Sequence, residues 1–101
     1  MTEEVRMARH GPNFDDQEIR REVKRYKALG DETRLKMVRV LVQGERCVCE
    51  LLDMFRVGQS TVSHHLKILE NAGLISSRRV GKFVYYAIVR QDDEGKPDSR
   101  F

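Results

Sequence analysis

The spacing of apolar residues changes period once along this chain, at Gly73, and that change limits the fold more than any other feature. Before it, apolar side chains recur at three- and four-residue intervals, as amphipathic helices require. After it, Leu74 to Ile88 is rich in β-branched and aromatic residues around a Val80-Gly81-Lys82 turn. That is the pattern of a β-hairpin.

Four helices are predicted. The first runs from Asp16 to Leu29, with Ile19, Val23, Tyr26 and, weakly, Leu29 on its apolar side. Asp15 and Asp16 stand at its start, where the helix dipole favours acids, and Gly30 ends it. Asp31 is a good N-cap for the second, whose stripe is Leu35, Val38, Leu41 and Val42, with Gly44 just beyond its end. The third is short: Val48, Leu51, Leu52 and Phe55 form one face before Gly58 breaks it. The fourth starts at Gln59 or Ser60, carries Val62, Leu66 and Leu69 on one side, and stops at Asn71-Ala72-Gly73. Strands follow around Ile75–Arg79 and Phe83–Ile88. The fold class is mainly α with a small β-hairpin, a winged helix-turn-helix. It occupies residues 16–90, between an arm over 1–15 and a polar tail over 91–101 that is expected to be disordered.

A chain of 101 residues makes one domain with a modest core. No nucleophile–base spacing or Gly-rich phosphate loop is present, so an enzyme is not expected. No apolar run approaches the roughly 18 residues of a membrane span, and Met1 to His10 lack the apolar core of a secretory signal. The expected location is the cytoplasm. Residues 17–90 hold fifteen Lys and Arg against eight Asp and Glu. A basic centre suits a polyanionic partner, although a solvated surface with excess Lys and Arg would look the same.

The outer side of the fourth helix favours the first of these. Ser60, His64, Lys67 and Asn71 lie opposite the apolar stripe, with Thr61 and Ser63 on the flanks and Gln59 at the start. These side chains are short, polar and nearly uncharged, able to bond base edges and phosphates at little desolvation cost. Arg78, Arg79 and Lys82 surround the hairpin tip, where cations suit a phosphate backbone. Taken singly, each of these cations could be an ordinary guard of an exposed strand. His65 falls at the edge of the apolar side and is expected to be half buried. His64 and His65 point about 100° apart and do not chelate one ion.

Cys47 and Cys49 are the only cysteines. A bond between them would close a tight, strained ring and staple nothing, so they are read as free thiols. In a regular helix, positions i and i+2 diverge by about 200°, so joint metal binding needs a non-helical or distorted first turn. The helix start and Arg46 are expected to favour the thiolate. Two small, partly buried core residues are the plain alternative.

Four segments then carry a resemblance. They are Ala28-Leu29-Gly30-Asp31-Glu32-Thr33-Arg34-Leu35, Cys47-Val48-Cys49-Glu50-Leu51, Gln59-Ser60-Thr61-Val62-Ser63-His64-His65-Leu66-Lys67-Ile68-Leu69 and Ala72-Gly73-Leu74-Ile75. Over about residues 19–89 the chain resembles the ArsR/SmtB family of metal-sensing repressors. The resemblance implies a homodimer that binds double-stranded operator DNA and is released when metal binds. It implies that Cys47 and Cys49 are thiolate ligands for arsenite, cadmium, lead or zinc as effector, with no constitutive cofactor. Two departures matter. Leu52 stands where arsenite sensors often have a third cysteine, and the arm offers no cysteine, only His10. A third ligand would be His10 of the partner subunit, a small thiol or water. Residues 89–101 lack the His ligands of the zinc sensors, so the first helix and the arm must carry more of the dimer contact. A thiol-redox or metal-independent regulator, or a winged-helix protein–protein adaptor, are the competing readings.

Overall fold

The computed structural model describes residues 12–90. The expected tail, most of the expected arm and His10 lie outside the described residues. Helix α1 (Asp16–Leu29) is started by Asp15, whose Oδ1 accepts from the Gln17 and Glu18 N–H groups at 3.1 and 3.3 Å. Gly30 closes it. Asp31 then caps α2 (Glu32–Val42) by accepting from the Arg34 N–H at 3.0 Å. These two Asp caps satisfy donors that a helix start leaves unpaired.

Next come strand β1 (Arg46–Cys47), helix α3 (Val48–Met54), helix α4 (Gln59–Asn71), and strands β2 (Ile75–Val80) and β3 (Phe83–Ile88). The sheet order is β1-β3-β2, antiparallel throughout. Gly73, at φ 79°, lets the chain turn out of α4 into β2. Gly81, at φ 61°, makes the two-residue turn that puts Val80 opposite Phe83. The winged helix-turn-helix expected from the sequence is therefore the fold observed. β1 was not legible: two residues carry no alternation, and only their pairing with Tyr85 and Tyr86 makes them a strand.

The core lies where α2, α3 and α4 meet the base of the sheet. Met37, Leu51, Val62 and Leu69 have no exposed surface, and Val38, Leu41, Leu66, Leu74 and Ile75 surround them. No polar or charged residue is buried among the described residues. The stripes expected on α3 and α4 are the ones that pack. On α2 the expectation shifts. Leu35 and Val42 are 40% and 44% exposed, while Met37, absent from the expected stripe, is fully buried. α2 carries a wider apolar arc than its neighbours cover, so spacing alone could not choose the buried part.

α1 contributes only its end to the core, Ala28 buried and Leu29 packed against it. Its own stripe stays open: Ile19, Val23 and Tyr26 are 41%, 43% and 65% exposed, and Phe14 just before it is 70% exposed.

The uneven burial on α2 and α3 sets an expected difference in stability. Leu51→Ala should cost about 2–5 kcal/mol, the usual range for emptying a packed leucine site. Leu35→Ala should cost much less. Urea unfolding at fixed protein concentration measures both, and equal losses would contradict this account of the core.

Candidate nucleic-acid interface and thiol pair

α4 starts without a side-chain cap, after Gly58. Its buried arc is Val62, Leu66 and Leu69, which turns Gln59, Ser60, Thr61, Ser63, His64 and Lys67 outward. All six are exposed. The helix is held at its far end by Ser77 of β2, whose Oγ donates to Glu70 Oε2 at 3.1 Å. Glu70, its only acid, is thus engaged with the sheet rather than displayed on the polar face. That leaves a surface of hydroxyls, amide, imidazole and one ammonium.

The hairpin puts Arg78, Arg79 and Lys82 in solvent, but not on equal terms. Arg78 makes a two-pronged pair with Glu45, Nε to Oε2 at 2.7 Å and Nη2 to Oε1 at 2.8 Å. Its guanidinium also lies 5.3 Å from the centre of the Tyr85 ring. The pair pushes the Glu45 carboxyl below its ordinary range and raises Arg78 further. Arg78 therefore already has an anion. Among the described residues no ion pair engages Arg79 or Lys82. Sequence reasoning missed Glu45, which is 33 positions from Arg78 and signals nothing locally.

His64 and His65 diverge as expected, with ring centres 5.9 Å apart and planes tilted by 55°. His65 is half buried, and its partner is a side chain: Nδ1 lies 3.1 Å from Arg34 Nη1.

Cys47 and Cys49 are both free thiols, the first buried and the second exposed. Cys47 is not inside α3. At φ −71° and ψ 148° it is extended, ends β1, and serves as the N-cap. Its Sγ accepts from the Cys49 N–H at 3.3 Å, while Glu50 Oε1 accepts from the Cys47 N–H at 2.8 Å. This is a capping box with sulfur in the place of a hydroxyl. The regular-helix divergence expected for i and i+2 therefore does not apply. Cys47 thus has the non-helical backbone that joint chelation needs, with its sulfur engaged as the cap of α3.

The expected bias toward thiolate is also reversed at Cys49. The hydrogen bond shared with the Cys47 thiol, then desolvation, push the Cys49 thiol above its ordinary value. Two soft donors thus share one end of α3, a set suited to a thiophilic ion once their protons leave. No group of three His, Cys, Asp or Glu placed to hold a metal occurs among the described residues.

Residues 31–77 match the family described as bacterial regulatory protein, arsR family. The chain is 44% identical over 70 residues to a cadmium resistance transcriptional regulatory protein CadC homolog of Staphylococcus aureus, covering 68% of this chain and 55% of that one. It is 40% identical over 78 residues to the arsenical resistance operon repressor of Bacillus subtilis, covering 76% and 74%. Among solved structures, the homodimeric winged helix-turn-helix DNA-binding domain of a Mycobacterium bovis protein superposes with a TM-score of 0.71 at 30% identity, covering 79% of this chain and 76% of that one.

The two thiols should react differently. Iodoacetamide should label Cys49 in the folded protein and reach Cys47 only on unfolding. Because the thiolate is the nucleophile, labelling of Cys49 should rise with pH to a midpoint above the roughly 8.5 of an ordinary cysteine. Cys47→Ala should move that midpoint back down, since the Cys47 thiol is the main cause of the shift. Mass spectrometry of timed labelling reads all three outcomes. A midpoint at or below the ordinary value would remove the thiol–thiol contact from the account.

Proposed function

The chain belongs to the arsR family of bacterial regulatory proteins, whose members are DNA-binding transcriptional regulators and not enzymes, and we propose that it is a dimeric repressor released from operator DNA when a soft metal(loid) ion binds Cys47 and Cys49. One observation carries the proposal. Cys47 stands at the junction of the wing and the helix that leads into α4. Its backbone pairs with Tyr85 of the wing strand β3, and its sulfur caps α3, the helix that precedes α4. Ion binding at this buried thiol would act on the wing and on α3, which packs against α4, together.

The donor chemistry supports arsenite, cadmium, lead or zinc over a hard cation, because the protein donors at the site are sulfur. Relatives named for cadmium and arsenical resistance agree with that class. A third ligand comes from solution or from the partner subunit. Binding is coupled to proton release, the more so because the Cys49 thiol is held protonated.

The exposed stripe of α1 supports the dimer. Ile19, Val23 and Tyr26 form an uncovered apolar strip on the one helix that adds little to its own core, and Phe14 just before it is exposed as well. A second copy would cover it, and the M. bovis neighbour is homodimeric. A twofold pair brings two α4 helices to half-sites about one DNA turn apart. In that complex Gln59, Ser60, Thr61, Ser63, His64 and Lys67 meet base edges and nearby phosphates. Arg79 and Lys82 meet the backbone, and Arg78 joins them only by leaving Glu45.

The wing cations should therefore differ in their effect on binding. Lys82→Ala should weaken binding to all duplexes and lower the slope of log affinity against log salt by about 1. Arg78→Ala should change that slope less, its charge being already neutralised by Glu45. Fluorescence anisotropy across a salt series decides; equal slopes for the two variants would mean that Glu45 does not withhold Arg78.

The release step is tested by titrating the DNA complex under reducing conditions with cadmium, lead and arsenite in turn. At least one should lower operator affinity by a factor of roughly 5–150, the usual range of allosteric coupling. Cys49→Ser should bind DNA and fail to let go. If oxidation displaces the DNA and no ion does, the thiols are a redox switch. If neither acts, the pair is structural and the release mechanism is wrong.

A further inference from the structure

One polar cluster is used neither by the DNA-facing surface nor by the thiols. Arg34, in the first turn of α2, donates from Nε to the Ala28 carbonyl in the last turn of α1 at 2.7 Å. Its Nη1 lies 3.1 Å from Nδ1 of His65 on α4. Its own N–H is held by Asp31 Oδ2 at 3.0 Å, and the same oxygen is 4.0 Å from His65 Nδ1. One side chain thus ties three helices together. The His65 side chain is 14% exposed, so the bond is sheltered from competing water.

The chemistry fixes the direction of that bond. A guanidinium has only donors, so His65 Nδ1 must accept and the ring proton sits on Nε2. Other groups meet the imidazole too. Asp31 and Arg34 face it from α2, and His64 lies beside it on α4. α1 brings only the Ala28 carbonyl to the cluster, through Arg34.

Apart from the exposed Ser77–Glu70 bond at its far end, the rest of the α4 contact is apolar: Val62, Leu66 and Leu69 against the core. Such packing is strong but non-directional, and it tolerates small rotations of a helix about its axis. A planar, forked donor bonded to an imidazole on the helix does not. His65 lies next to His64 and two residues from both Ser63 and Lys67. A rotation of α4 would therefore move every group on its outer side.

We propose that Arg34 is a positioning residue for α4: its guanidinium, shared between the Ala28 carbonyl and His65, sets how α4 is turned against the α1–α2 corner and so governs sequence selectivity rather than general affinity for DNA. This rests on the reading of α4 as the DNA-facing helix. It also links α1, the strip a second copy would cover, to the surface that reads the operator. Without the bond, α4 samples several orientations, and the apparent affinity falls by the fraction that remains competent.

The test compares two duplexes of equal length: the DNA upstream of the protein's own coding sequence, and the same sequence scrambled. Arg34→Lys keeps the charge but cannot serve both acceptors with one rigid fork. His65→Leu removes the acceptor, and His65→Gln restores one. Arg34→Lys and His65→Leu should lose roughly fivefold in affinity for the upstream duplex, the factor that one hydrogen bond of typical net worth implies. Affinity for the scrambled duplex should hold within twofold, and His65→Gln should recover most of the loss. In the wild-type protein, the nitrogen-15 shift of His65 Nδ1 should show an acceptor nitrogen, and Arg34→Lys should move it. Equal losses on both duplexes, or identical behaviour of His65→Leu and His65→Gln, would overturn the proposal. A wild-type protein that binds both duplexes alike overturns the reading of α4 itself, and the proposal with it.

Discussion

The packing of α4 on α2 and α3 is the constraint from which the rest follows. Val62, Leu66 and Leu69 must be dry, together with Met37 and Leu51, for this small core to close. A helix that buries one arc must leave the opposite arc bare. In α4 that bare arc is Ser, Thr, His and Lys rather than the Glu–Lys mixture that solubility alone would favour. The same contact that stabilises the domain therefore displays the proposed DNA-facing surface. Glu70, the one acid in the helix, is drawn to Ser77 at the base of the hairpin, so the display stays free of negative charge.

Only the end of α1 reaches the core, through Ala28 and Leu29, so most of its length is left uncovered. α2, α3, α4 and the sheet satisfy one another. α1 is secured at its end by Ala28 and by the Arg34 bond to the Ala28 carbonyl, while Ile19, Val23 and Tyr26 face outward. A monomer with that strip exposed carries an apolar cost in water that a second copy removes. The proposed dimer contact and the proposed DNA-facing surface are then joined by one polar link, Ala28–Arg34–His65.

Much of this was legible in the sequence because the helix caps and stripes agree with one another. Asp15 and Asp31 mark the starts of α1 and α2, Gly73 marks the change of period, and the stripes of α3 and α4 are short and unambiguous. The outer residues of α4 follow directly from its buried ones. What was not legible came from pairings between distant parts of the chain. Met37 and Leu35 are equally apolar, and only the placement of α3 decides which is buried. β1 exists because Tyr85 and Tyr86 are there to pair with it. The Glu45–Arg78 bond and the Arg34–His65 bond span 33 and 31 positions, and no local pattern announces either.

The thiol pair shows how one missed strand changes the chemistry that can be argued. With Cys47 inside a helix, two sulfurs at i and i+2 point apart, and coupling to DNA has to come from helix distortion. With Cys47 extended at the end of β1 and capping α3, the proposed coupling to DNA can run through the strand instead. Glu45 extends that logic. It lies two residues before Cys47, adjoining β1, and it holds Arg78 on the neighbouring face of the wing. A shift of Cys47 would move the β1–β3 pairing and the Glu45 carboxylate together. In the proposed mechanism the wing's cationic character would then follow the position of a buried sulfur, through a two-residue ladder.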